Sequence, residues 1–216
     1  CNISGPRRFK VGSTRDYILG FRAVNGRGDI IKSGGTVVKN VTGYDLSKLI
    51  CNSFGTLAAL TEITFKVLPA SEESKTLVIH NLGIDSAPEY LERAISSSNE
   101  VSGASFLPVE PICKKCEMNI ENVFKLNDLK YAGSLTALRL EGSKQSIDER
   151  AGNLKKELKL QELATSELET LQSEIFWKKI KNLEFFSSTK NNIFRIVIPP
   201  SECINLIYEL PEKFKY

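Results

Sequence analysis

The sequence predicts an α+β protein in two parts, and three observations carry that reading. The first seventy residues are a glycine-punctuated run with strand-like alternation, the composition changes after Pro69, and strand-like and helix-like segments then follow in the order βαββα. Glycine takes up positive φ without a Cβ penalty, so the opening run reads as short strands joined by tight turns. The later alternation reads as an antiparallel sheet with helices on one side, a ferredoxin-like layer.

In the opening run, residues 16–23 lead into the turn signal Asn25-Gly26, and the chain returns through Asp29-Ile30-Ile31-Lys32. Two strand-like runs about an Asn-Gly dipeptide predict a β-hairpin. Asp45 stands where an N-cap would serve a short helix over 46–50. From 57 to 68, Thr61, Ile63, Phe65 and Val67 alternate with Leu60, Glu62, Thr64 and Lys66. That period of two predicts a half-buried strand.

Residues 70–75 (ASEESK) read as a polar linker. A strand follows over 76–80, then a helix with Ser86 as N-cap, Glu89 as its capping-box partner, and Leu91, Ala94 and Ile95 on one face. Strands are expected over 103–107 and 134–141. A helix over about 146–158 places Ile147, Ala151, Leu154 and Leu158 on one stripe. A weak strand near 162–166, a helix over about 168–183 with Trp177, a strand over 192–198 and a partial helix after Pro199-Pro200 complete the order.

Composition excludes several function classes. A formal charge of +3 across 216 residues, without a run of five or more lysines and arginines, lends no electrostatic support to nucleic-acid binding. The longest apolar runs are far short of the ~20 residues of a membrane span. A soluble, cytoplasmic protein is expected, with docking onto the inner membrane through a complex left open. No GxGxxG lies between a strand and a helix, and no Walker A loop is present.

Five blocks stand in order: SGPRR at 4–8, GSTRDYILG at 12–20, NGRGDIIKSGG at 25–35, VKNVTGYDLSKL at 38–49 and SFGTLAALTEITFKVLP at 53–69. Together they resemble the FAD-binding domain of the vanillyl-alcohol-oxidase/PCMH superfamily, and within it the FAD-binding accessory subunits of bacterial glycolate oxidases. The resemblance implies that 1–69 is the second subdomain of a PCMH-type FAD-binding domain, with the N-terminal, pyrophosphate-wrapping subdomain missing. It further implies that 76–216 is a ferredoxin-like cap domain truncated at its C-terminus. There the resemblance is looser, resting on LRLEG at 138–142, Phe176-Trp177 and FRIVIPP at 194–200. The chain, starting at Cys1, reads as a fragment that alone is expected to bind FAD weakly or not at all and to be inactive.

Carried over block by block, the resemblance implies FAD contacts from Asn2, Ser4, Gly5, Arg8, Gly12, Arg15 and Asp16, and from Gly55, Thr56, Ala58 and Leu60. Backbone N–H groups and guanidinium groups suit a diphosphate, and donors near the flavin N1 and O2 suit the reduced ring. Each arginine has the alternative of a surface salt bridge. Lys39-Asn40 and Tyr44-Asp45 read as positioning a turn and short helix beside the flavin.

The implied activity is that of an FAD-binding subunit of a glycolate oxidase or dehydrogenase complex, with glycolate oxidised to glyoxylate and electrons passed on. The implied partners are a catalytic FAD subunit and an iron–sulfur subunit. Two alternatives stay open: a scaffold subunit without its own turnover, and an FAD-linked oxidase for another 2-hydroxy acid such as D-lactate. No catalytic residue is assigned. His80, the one histidine, ends an apolar strand and reads as structural, and no histidine cluster suggests a metal site. Cys113 and Cys116 form a CxxC, half of a tetrahedral metal site, and read as ordinary thiols with redox or metal roles as alternatives. Phe176-Trp177 and Phe185-Phe186 read as core or interface anchors.

Overall fold

A computed structural model describes residues 1–38, 43–108, 133–186 and 193–209. The Cys113/Cys116 pair and Lys39-Asn40 lie outside the described residues. The chain divides into two compact units, Cys1–Ala70 and Ser71–Tyr216.

The first unit carries two one-turn helices, α1 (Arg8–Val11) and α2 (Thr14–Tyr17), then strands β1 (Ile18–Asn25) and β2 (Ile30–Gly34), helix α3 (Leu46–Ile50) and strand β3 (Ala58–Phe65). The sheet order is β2-β1-β3, antiparallel throughout. The predicted hairpin is present, but its left-handed residue is Gly28 (φ +86°), not Gly26. The Gly28 N–H donates to the Asn25 carbonyl at 3.1 Å, and the Asn25 side chain accepts from the N–H groups of Arg27 and Asp29. This is a three-residue loop closed by a left-handed glycine. Phe21, Ala23, Ile50 and Ala58 form the unit's small core.

The half-buried pattern expected of β3 is not realised: Leu60, Ile63 and Phe65 are all exposed. The alternation exists, but β3 is an edge strand and α3 packs over β1 and β2.

The second unit contains β4 (Glu73–His80), α4 (Ala87–Ser96), β5 (Gly103–Leu107), β6 (Leu135–Gly142), α5 (Lys144–Glu157), β7 (Thr165–Leu168), α6 (Thr170–Lys181) and α7 (Cys203–Glu209). The antiparallel sheet runs β5-β6-β4-β7, so the split β-α-β-β-α-β order has its first and third strands central. Leu77, Ile79, Leu138 and Leu140 meet the stripe Ile147, Ala151, Leu154 and Leu158 together with α4 on one face. The opposite parity, Val78, Leu135 and Ala137, meets Phe176, Trp177 and Ile180 of α6 on the other.

Helices on one side alone was therefore incomplete, because α6 covers the second face. Residues 73–75, read as linker, belong to β4. No capping box forms at Ser86. Its backbone is already helical, its hydroxyl donates to the Gly83 carbonyl, and Glu89 pairs with Arg93 instead. The strand expected over 192–198 is absent from 193 onward, where Ile193, Phe194, Ile196 and Val197 are exposed. An extended apolar segment becomes a strand only when a neighbour completes its ladder, and no such neighbour is seen among the described residues.

Candidate functional site

The N-terminal block folds onto α2. The Asn2 Oδ1 accepts from the Arg15 N–H (3.1 Å), the Ser4 Oγ from the Thr14 N–H (3.4 Å), and the Ile3 carbonyl from the Thr14 hydroxyl (3.1 Å). The first turn of a helix has N–H groups without intrahelical partners, and these side chains supply the acceptors. The Gly5 carbonyl accepts from the Arg8 N–H, which starts α1, and Gly12 ends that helix.

Asp16 locks the next turn. Its Oδ2 accepts from the Ser13 N–H at 2.7 Å and the Ser13 hydroxyl at 2.8 Å. These two bonds, with Lys48 and Arg15 nearby, hold its carboxyl below the usual carboxylate range. Asp45 caps α3 by accepting from the Lys48 N–H (3.2 Å), and its other oxygen lies 3.3 Å from the Lys48 Nζ.

Asn2, Ser4, Gly5, Arg8, Gly12, Arg15 and Asp16 thus gather before the first residue of β1. Gly55, Thr56, Ala58 and Leu60 do not join them. Ile18 pairs with Phe65, whereas Ala23 pairs with Leu60 and Asn25 with Ala58, so the second set lies along and beyond the far half of β1. The seven residue steps from Ile18 to Asn25 separate the two ends by about 23 Å. There Thr56 donates its N–H and hydroxyl to the Ser53 carbonyl, Gly55 is left-handed (φ +78°), Ala58 is buried in the core and Leu60 is exposed.

A pocket of about 330 Å³ opens at the α2 end, with Arg15, Asp16, Tyr44, Asp45, Lys48 and Lys66 among its lining. Sequence reasoning missed Lys48 and Lys66. The Lys66 N–H donates to the Tyr17 carbonyl at 2.8 Å, which extends the β1–β3 ladder and brings the tail of β3 back to the end of α2. The strand itself was readable, but its antiparallel partner was not.

The donor set fits an anionic group. Both carboxylates of the pocket are engaged in local structure, while among the described residues neither Arg15 nor Lys66 has an ion-pair partner. If FAD binds, these side chains suit its diphosphate, and the isoalloxazine supplies the hydride-accepting chemistry.

His80 lies in the second unit with its Nε2 2.8 Å from the Ser166 Oγ, and burial pushes its pKa down. Among the described residues no group of three or more His, Cys, Asp or Glu side chains could hold a metal ion, and no helix is long and apolar enough to cross a membrane.

No protein-family model matches the chain. Glycolate oxidase subunit GlcE of Escherichia coli (strain K12) is 33% identical over 172 residues, covering 76% of this chain and 42% of that protein. A D-lactate dehydrogenase of Anaerostipes hadrus is 44% identical over 78 residues, covering 36% of this chain and 16% of that protein. The chain is similar, at the level of a family, to FAD-linked oxidoreductases. Among solved structures, alkyldihydroxyacetonephosphate synthase superposes with a TM-score of 0.58 at 18% identity, covering 85% of this chain and 34% of that one. At that identity the likeness concerns the fold, an α+β architecture with two antiparallel sheets. The chain spans less than half the length of these curated proteins. The GlcE match, at 172 residues, is longer than the seventy-residue first unit and so extends into the second.

Proposed function

We propose that the protein is an FAD-holding component of an enzyme that oxidises a small 2-hydroxy acid. The observation that carries this is the cationic pocket at the α2 end of the first unit, in a chain related to FAD-linked oxidases. Asn2, Ser4, Gly5, Arg8, Gly12, Arg15 and Asp16 shape the flavin site from the α2 end, and Gly55, Thr56, Ala58 and Leu60 from the far end of β1. Residues 1–69 act as the cofactor-holding part and 76–216 as the cap. The substrate class includes glycolate and D-lactate, since one fold accommodates related chemistries.

A narrower reading makes it the accessory flavin subunit of a glycolate oxidase complex, working beside a catalytic FAD subunit and an iron–sulfur subunit. The length of the GlcE match, reaching into the second unit, supports it. In that setting the subunit holds flavin and relays electrons, and the partner takes the alcohol proton. His80, engaged with Ser166, is not required as a base.

The test is the visible spectrum of the full-length protein followed on anaerobic addition of glycolate or D-lactate, with and without co-expressed partner subunits. A bound flavin that bleaches with a 2-hydroxy acid is expected. A flavin that bleaches only with the partners present favours the accessory role. A protein that takes up no flavin in either setting refutes the proposal and leaves the scaffold alternative.

A further inference from the structure

We propose that the open face of the first sheet, built around Arg22, Lys32 and Ile30, binds an acidic protein surface. None of these residues lines the pocket at the α2 end, so the interface stands apart from the flavin reading.

Charge is unevenly shared along the chain. Residues 1–70 hold ten Lys and Arg against four Asp and Glu, whereas 71–216 hold nineteen against twenty-two. A basic first unit and a mildly acidic second one lie behind the modest total of +3. Such asymmetry points to an anionic partner for the basic part.

The pleat of the sheet decides where part of that charge goes. Phe21, Ala23 and Ile31 point to the core under α3, so Arg22, Val24, Ile30 and Lys32 share the other face. Cross-strand register arranges that face in two rows. Lys32, Arg22 and Glu62 stand side by side across β2, β1 and β3, and Ile30, Val24 and Ala59 form the next row. Of these six only Val24 is partly buried, and Ile30 is 75% exposed.

Two features of the rows fit a partner. Like charges directly opposite one another in a sheet repel, and Arg22 stands opposite Lys32. Glu62, 3.8 Å from Arg22, is the single carboxylate of that row. A carboxylate from outside, placed by Lys32, offsets the remaining repulsion. The neighbouring row supplies an apolar strip, and an apolar centre with charge at its margin is the anatomy of a protein interface. Nucleic acid fits less well, because its binding draws on many phosphate contacts and on bases stacked on aromatic rings. These rows carry two cations and no aromatic ring. An anionic bilayer favours clusters of about four to eight basic residues, which two cations do not make.

The experiment titrates the full-length protein against three labelled probes: a peptide of alternating Glu and Leu residues, a single-stranded oligonucleotide and phosphatidylglycerol vesicles. The variants are Lys32→Glu and Ile30→Ser, with Lys156→Glu, at an exposed position of α5, as the control for the same change of charge. The peptide is expected to bind about tenfold more weakly to Lys32→Glu, as for loss of one charged pair, more weakly to Ile30→Ser, and equally to Lys156→Glu. Lys32→Glu also turns the opposed pair with Arg22 into an attractive one, so its melting temperature should equal or exceed that of the wild type, which separates binding from folding. Added salt should weaken peptide binding more in the wild type than in Lys32→Glu. Equal peptide affinity in Lys32→Glu and Lys156→Glu overturns the interface, as does a wild type that binds no peptide. Tighter, Lys32-dependent binding of the oligonucleotide or the vesicles overturns it in favour of those partners. A dimer in analytical ultracentrifugation that Lys32→Glu dissolves overturns it in favour of a second copy of the chain. The flavin reading is tested by its own spectrum and stands or falls apart from these outcomes.

Discussion

The Trp177 indole N–H donates to the Thr76 Oγ1 at 2.8 Å inside the second unit, and that hydroxyl lies 2.7 Å from the Ser173 Oγ. The Ser173 Oγ is in turn 2.6 Å from that of Ser74. This polar chain, with the Ser74 N–H donating to the Thr170 Oγ1 at 3.2 Å, ties α6 to β4 beside a buried apolar cluster. A buried donor left without an acceptor costs more than the bond itself contributed. Thr76→Val is expected to destabilise the protein by about 1–3 kcal/mol, and Trp177→Phe added to it should recover part of the loss. Urea denaturation of the single and double variants checks this.

A second prediction concerns Lys75. Its Nζ lies 2.6 Å from Asp148, 3.1 Å from Glu167 and 3.2 Å from Glu169, joining β4 to α5 and to the segment around β7. Burial alone would lower the Lys75 pKa, but the three carboxylates outweigh it and raise it above the ordinary lysine value. The lysine lowers Asp148 through its hydrogen bond, and Lys155 and Lys75 lower Glu167 against the opposing effect of burial. For the carboxylates, stability is present above their unfolded values near ~4 and is lost as pH falls through the depressed folded values. For Lys75 it is present below about 10.4 and lost as pH rises through the raised folded value. Denaturation midpoints should therefore be flat between these limits and fall on both sides. In Lys75→Met both slopes should shrink.

Gly34 and Gly26 make a contrasting pair. Gly34 has φ +71°, and a Cβ there would lie 2.1 Å from the Leu19 carbonyl oxygen, whereas a Cβ on Gly26 meets nothing within 4 Å. Gly34→Ala should cost about 2–3 kcal/mol or more through strain and a forced separation of β1 and β2. Gly26→Ala should be close to neutral. Thermal melts of the two variants decide between them.

For His80, the hydrogen bond to Ser166 predicts a local structural role. His80→Gln should leave the rate of flavin bleaching by a 2-hydroxy acid unchanged, measured by stopped-flow absorbance on the full complex. A collapse of that rate with an unchanged melting temperature would restore His80 as a catalytic base.

Much of this fold is legible in short windows of sequence. The stripe Ile147, Ala151, Leu154 and Leu158 specifies α5, the run 103–107 gives β5 to the residue, and Asp45 marks the start of α3. These depend on periodicity and on local hydrogen bonds, which are properties of neighbouring residues. The capping box read at Ser86 shows the limit of the same reasoning. The matching chemistry formed at Ser13 and Asp16, because a cap also needs the backbone to arrive in an extended conformation.

The sequence by itself determined the two-part α+β organisation, the hairpin over β1 and β2, the main helical stripes and the ordered blocks that relate the chain to FAD-linked oxidases. Packing across the chain settles that α6 covers the second face of the sheet, that β3 is an exposed edge, and that Lys48 and Lys66 line one pocket with Arg15. The difference is one of range. A helix stripe or a turn is encoded within a few residues, whereas Lys66 and Arg15, some fifty positions apart, line one pocket only because β3 pairs antiparallel with β1, a pairing that the cooperative packing of the whole unit selects.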